Sequence, residues 1–182
     1  MKKLIITVLT IFLINTSFSQ IFDGIQISGD FNSTLEKFKS KGYIVEDLSA
    51  EGAILSLKKI EVNLLKTPKT NKVFKAAVYF PKKNNWADLK SEFNKYYILF
   101  IQRHGRTSDR DRYFDAPYYE GDGNEMEALT TGNCKYWYYW ESVKGATYYI
   151  EISKYKQVKI TYENDANVLL KDKEISDLDS QF

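Results

Sequence analysis

The chain has 182 residues, 43% hydrophobic and 15% aromatic, with one histidine, one cysteine and 26 basic against 24 acidic side chains. Lys2 and Lys3 fall in a leader segment, and without them the charges balance, which removes the electrostatic case for nucleic acid, a partner that needs a net basic footprint. A lone cysteine, Cys134, closes no internal disulfide, so stability has to come from packing.

Met1-Lys2-Lys3, an apolar run from Leu4 to Ile14, and small residues at Ser17 and Ser19 read as a signal peptide over 1–19. The run is far short of the roughly 20 residues that cross a bilayer, so no transmembrane segment is expected in the mature chain. A lipoprotein would carry its cysteine at the cut. Residues 20–182 are therefore expected as one exported domain, periplasmic or extracellular and not lipid-anchored, with a poorly packed acidic tail from about 171.

Ser33-Thr34-Leu35-Glu36 has the Ser-x-x-Glu spacing of a helix start, and this capping role is preferred to glycosylation of Asn32-Ser33-Thr34. Gly42 ends that helix, and Tyr43-Ile44-Val45, Ala53–Leu57 and Ile60–Leu65 read as strands. In Val73–Phe80, the residues Phe74, Ala76, Val78 and Phe80 take one face of a period-two pattern, with Lys75 and Tyr79 on the other. Asn85 caps a long helix in which Trp86, Leu89, Phe93 and Phe100 recur at helical spacing, and Gly105 stops it. Thr107–Gly132 reads mostly as loop. Cys134–Glu141, Thr147–Ile152 and Gln157–Tyr162 follow as half-exposed antiparallel strands, turned at Ser142–Gly145 and Ser153–Lys156, and a short helix is expected around Val168–Leu170.

The predicted fold class is α+β: an antiparallel sheet with helices on one face, in two helix-plus-meander halves. This order, over most of the mature chain, resembles the tandem helix-plus-sheet repeats of β-lactamase inhibitor proteins and, more loosely, small envelope proteins of the SmpA/OmlA and PepSY kind. Phe22-Asp23-Gly24-Ile25, Val78-Tyr79-Phe80 with Trp86, and Gly105 are similar to a pattern in uncharacterised secreted proteins of Gram-negative bacteria. These resemblances imply a fold and a compartment, and no activity.

Arg103-His104-Gly105 resembles the signature of histidine phosphatases, but that family needs a second histidine and a larger α/β scaffold, so the segment is read as a helix end with cations opposing the dipole. A His104–Cys134 nucleophile pair is disfavoured, because cysteine within an aromatic strand reads as core. The carboxylates of 107–132 as a glycosidase pair, and Asp122-Gly123-Asn124-Glu125 or Asp109-Arg110-Asp111 as calcium loops, are set below a solvated loop. From Lys58 to Lys95 ten lysines face only Glu61, Asp88 and Glu92, which reads as a solvated surface.

Tyr136-Trp137-Tyr138-Tyr139-Trp140 is the most unusual run. Alternation sends Tyr136, Tyr138 and Trp140 inward with Cys134, because Lys135 and Glu141 share the opposite parity and charge prefers water. Trp137 and Tyr139, with Tyr149 and Tyr79, are then expected on an open sheet face, where an aromatic patch marks a binding surface for a protein or a carbohydrate; the alternative is that loop 107–132 or the C-terminal tail covers them. The expected function is a non-enzymatic binding module. The alternative is a small hydrolase whose active site the sequence does not assemble. No catalytic, cofactor or metal residue is assigned, and oligomeric state is left open. If the leader reading is right, intact mass of the exported protein will show Gln20 as its first residue. A chain recovered outside the cytoplasm with Met1–Ser19 still attached would overturn it.

Overall fold

In the computed structural model, which describes residues 21–180 other than Ser142, the alternating segments pair into one large antiparallel sheet. The predicted leader 1–19, and Ser142 of the predicted turn, lie outside the described residues. A small hairpin, β1 (Ile21–Phe22) and β2 (Ile25–Gln26), leads into helix α1 (Phe31–Ser40) and the meander β3 (Ile44–Leu48), β4 (Gly52–Leu57), β5 (Ile60–Lys66) and β6 (Val73–Tyr79). Helix α2 (Trp86–His104) opens the second half, followed by β7 (Asp109–Phe114), the short α3 (Glu125–Thr131), β8 (Cys134–Trp140), β9 (Ala146–Ser153), β10 (Gln157–Asn164) and helix α4 (Asp165–Asp179).

The sheet order is β3-β4-β5-β6-β10-β9-β8-β7. Each half is thus a helix followed by four strands, and the closing strands of the two halves, β6 and β10, pair at the centre with Ile160 opposite Val78 and Tyr162 opposite Ala76. The α+β class and the helix-plus-meander halves read from the sequence are the architecture observed.

Ridges of aromatic side chains join α2 to the second meander. Phe93 lies 5.1 Å from Tyr136 and 5.5 Å from Tyr138, Tyr97 stacks on Tyr138 at 4.0 Å, and Phe100 meets Trp140 at 5.4 Å. The match is geometric, since seven helical residues rise about 10 Å and four strand residues about 13 Å, so successive turns of α2 meet alternate residues of β8. Asn85 caps α2 through its side chain, which accepts from the Asp88 amide at 2.8 Å, and the Trp140 indole donates to the Gly105 carbonyl at 3.0 Å. On the first half, α1 buries Phe31, Leu35 and Phe38, with Phe38 edge-on to Tyr43 at 5.0 Å.

Four details differ from the sequence reading. First, α1 starts three residues earlier than Ser33 implies: the Asp30 carboxylate accepts from the Ser33 amide at 2.9 Å, which keeps the buried Phe31 on the helix. Second, β6 carries a bulge, with Leu65 opposite Lys75 but Lys66 opposite Val73. The extra residue is Phe74, which leaves the inner row and lies under Lys171 of α4, 5.4 Å from its ring centroid, while Val73 takes the buried place. Third, the segment expected as loop contains β7 and α3. Strand β7 forms because every residue from Asp109 to Phe114 pairs with β8, a tertiary partner that its charged alternation does not advertise.

Fourth, the helices are not confined to one face. The tail is a continuous helix, α4, on the side of the sheet opposite α2: Asp165 accepts from Thr147 at 2.9 Å, and the Asn167 amide donates to the Val73 carbonyl at 2.7 Å. Its acidic end is anchored, since Glu174 is 4% exposed and accepts from the Lys69 amide at 2.6 Å and the Thr70 hydroxyl at 2.5 Å. Burial pushes the Glu174 carboxyl up, but the bonds from Thr70 and the Lys69 and Thr70 amides, with the Lys69 charge, outweigh it and hold it below the usual range. A depressed carboxylate stabilises the fold above its unfolded value of about 4.3, and that contribution is lost as pH falls through the lower folded value. Glu174→Ala should therefore cost about 1–3 kcal/mol in urea unfolding at neutral pH, and the gap to wild type should narrow below pH 4.

Candidate functional site

Alternation along β8 puts Tyr136, Tyr138 and Trp140 in the core, at 2%, 1% and 0% exposure, and leaves Trp137 and Tyr139 half-buried on the face away from α2. Tyr149 of β9 and Tyr79 of β6, both half-buried, share that face. Segment 115–131 does not cover it, because this segment folds back onto the α2 side, where Glu120 pairs with Lys90 at 2.5 Å and accepts from the Trp86 indole at 3.4 Å.

Strand register then fixes which residues are neighbours. Tyr139 stands opposite Tyr149, with ring centroids 4.6 Å apart. Burial first, and then Tyr139, Glu163 and Glu141, push the Tyr149 hydroxyl up to about 12, so it remains a proton donor. The parallel row reads Tyr79, Lys159, Glu151, Trp137, Asp111 across five strands. Lys159 pairs with Glu151 at 2.6 Å and lies 6.0 Å from the Tyr79 ring. Trp137, Tyr139 and Tyr149 are therefore contiguous, whereas Tyr79 stands three strand spacings, about 14 Å, from Trp137 with an ion pair between them.

The tail, weighed from the sequence as a possible cover, walls one side of this surface. Helix α4 presents Val168 and Leu169 beside Tyr139, Glu141 and Thr147, enclosing a shallow hollow of about 280 Å³. Leu169 is 71% exposed. The signal for it was the Val168–Leu170 run after the capping Asn164, whose side chain accepts from the Asn167 amide at 3.0 Å.

The structure does not bring His104 and Cys134 together. His104 packs 4.3 Å from Tyr148 at the end of α2, and burial, then the Arg103 and Lys144 charges, push its imidazole from 6.5 down to about 4. Cys134 begins β8, about 20 Å along the strand from the Trp140 end that meets Gly105. Burial, then Glu120 and Glu125, push its thiol up to about 12, so it is not a thiolate at neutral pH. In the acidic segment, Asp122 accepts from the Tyr119 and Asn124 amides and Glu125 from the Gly121 amide, so these carboxylates bind their own loop. Among the described residues no three His, Cys, Asp or Glu side chains converge to hold a metal ion. No described helix is long and apolar enough to cross a membrane. No family model, curated protein or solved structure matches the chain.

The lowered imidazole value has a consequence for stability. Between about pH 4 and 6.5 the unfolded chain binds a proton at His104 that the folded chain does not, so folding weakens as pH falls through that window. His104→Phe, which keeps a ring against Tyr148, should flatten the pH dependence of the melting midpoint from 6.5 to 4 while leaving the acid loss below about 4.3 in place.

Proposed function

We propose that this chain is a non-enzymatic binding module, exported by its leader, that holds a protein or carbohydrate partner on the sheet face of Trp137, Tyr139 and Tyr149, with Tyr79 at the margin. The observation that carries this reading is that α2 and the 115–131 segment pack on the opposite face while α4 walls only one side of this one, leaving these rings ordered by strand register yet half-exposed. Rigid amphipathic rings give large contact area at low entropic cost, which suits either partner. A sugar ring can lie flat on Trp137 or Tyr139 while Glu151 and Asp111, the cross-strand neighbours of Trp137, accept from its hydroxyls. A protein surface can set an apolar side chain into the hollow beside Leu169. A shallow face of this kind fits a broad partner better than a small substrate, whose turnover calls for enclosure.

Trp137 is the reporter, because Trp86 and Trp140 are buried at 8% and 0% exposure. A partner on this face should protect indole fluorescence from acrylamide, and Trp137→Phe should remove that protection. Trp137→Ala with Tyr139→Ala should abolish capture of glycans on an array, or of cross-linked proteins, while shifting the melting midpoint little. Unfolding of the double variant together with unchanged capture by Trp137→Phe would overturn the proposal.

A further inference from the structure

A second concavity lies on the helix-covered side of the sheet. Each helix packs over its own meander, and the seam between the halves is left uncovered, opening a cleft of about 820 Å³. Its floor is Phe80, Ile160 and Tyr162 from the central strands, and its walls include Phe22 on one side and Tyr96 and Phe100 of α2 on the other. Apolar clefts of this size, with a few polar groups, are where small organic ligands bind.

The polar groups are unequal. Asp23 at the rim is already answered, by Lys41 at 3.7 Å and by the Tyr43 hydroxyl, which bonds to it. Lys58 and Arg103, also at the rim, form no ion pair among the described residues. The rim is therefore left with cationic charge that no carboxylate of the described chain neutralises.

Tyr162 supplies the independent observation. It is 6% exposed and ringed by Phe22, Phe100 and Tyr148 at 6.1, 6.2 and 5.8 Å, yet its hydroxyl has no hydrogen-bond partner among the described residues. Buried hydroxyls are almost always paired. It is not one of the fully enclosed unpaired polar atoms, so its remaining access is to the cleft it lines, which Arg103 lines as well. An unanswered donor at the floor and an unanswered guanidinium at the rim call for an acceptor that carries negative charge, and the walls call for hydrocarbon.

We propose that the cleft between the β1–β2 hairpin and α2 binds a long-chain carboxylate, its head held by Arg103 and the Tyr162 hydroxyl and its chain laid along Phe22, Phe80, Phe100 and Ile160. This site is separate from the aromatic sheet face and does not depend on it.

Calorimetric titration of the purified protein with dodecanoate, dodecanol and dodecyltrimethylammonium tests the assignment. Dodecanoate should bind saturably at one per chain, with the ammonium compound failing to do so. Arg103→Gln should weaken dodecanoate about tenfold, the loss of one charge-assisted bond, and leave dodecanol nearly unchanged. Tyr162→Phe keeps the ring and should weaken dodecanoate several-fold in a protein whose circular dichroism matches wild type. Trp137→Ala should leave the titration untouched, which separates this site from the sheet face. No saturable binding by folded wild-type protein, equal affinity for the ammonium compound, or an unchanged constant in Arg103→Gln would each overturn the proposal. So would sedimentation showing that a second copy fills the cleft, with Leu99→Arg dissociating a dimer that dodecanoate does not touch.

Discussion

The pairing of β6 with β10 is the contact on which the rest of the molecule depends. It joins two meanders that would otherwise each present one helix-covered half-sheet, and at its middle the small Ala76 and Ala77 of β6 face Tyr162 and Thr161 of β10. Ala76 opposite Tyr162 leaves room for the tyrosine ring to lie over the seam, where it touches Phe22 from the first half and Phe100 and Tyr148 from the second. One cross-strand pair thus places Tyr162 where the two halves meet, at the floor of the open cleft.

The aromatic weight of the second half has a different logic. Three rings of β8 face α2, and the two between them face away, so a single strand feeds a dry interior and a half-wet exterior. Arg112 closes the rim of the dry side: its guanidinium lies 4.5 Å from the Tyr136 ring and donates to the Tyr136 and Tyr138 hydroxyls. Buried tyrosine needs such a partner, and here it is supplied by a neighbouring strand rather than by water.

What is legible in the sequence is what depends on one strand at a time. Parity along β8 can be read because Lys135 and Glu141 mark the solvated side, and α2 because Asn85, the apolar spacing and Gly105 agree. What depends on a partner elsewhere in the chain is not legible. Strand β7 has charges on both faces and exists through its pairing with β8. The true cap of α1 is Asp30, because Phe31 must be buried, a demand that Ser-x-x-Glu spacing does not carry. Helix α4 hides its anchor in a charged residue, Glu174, which any hydrophobic pattern discounts. Of the candidate surface, the shared face of Trp137, Tyr139, Tyr149 and Tyr79 follows from alternation. The Lys159–Glu151 pair that divides it follows only from register between strands.

The two ends of the sheet differ in what they offer an incoming strand. At one end β7 alternates Asp109 and Asp111 toward one face with Arg110 and Arg112 toward the other, so an incoming strand would have to strip water from charge on both sides. At the other end β3 exposes Ile44 and Leu48, at 65% and 61%, but its pairing slips between Val45 and Asp47, and the resulting kink spoils the straight ladder that another chain would need. Growth by strand addition is thus obstructed at both ends by unrelated means. The unpaired backbone of either end, which would accept any extended chain, is thereby guarded.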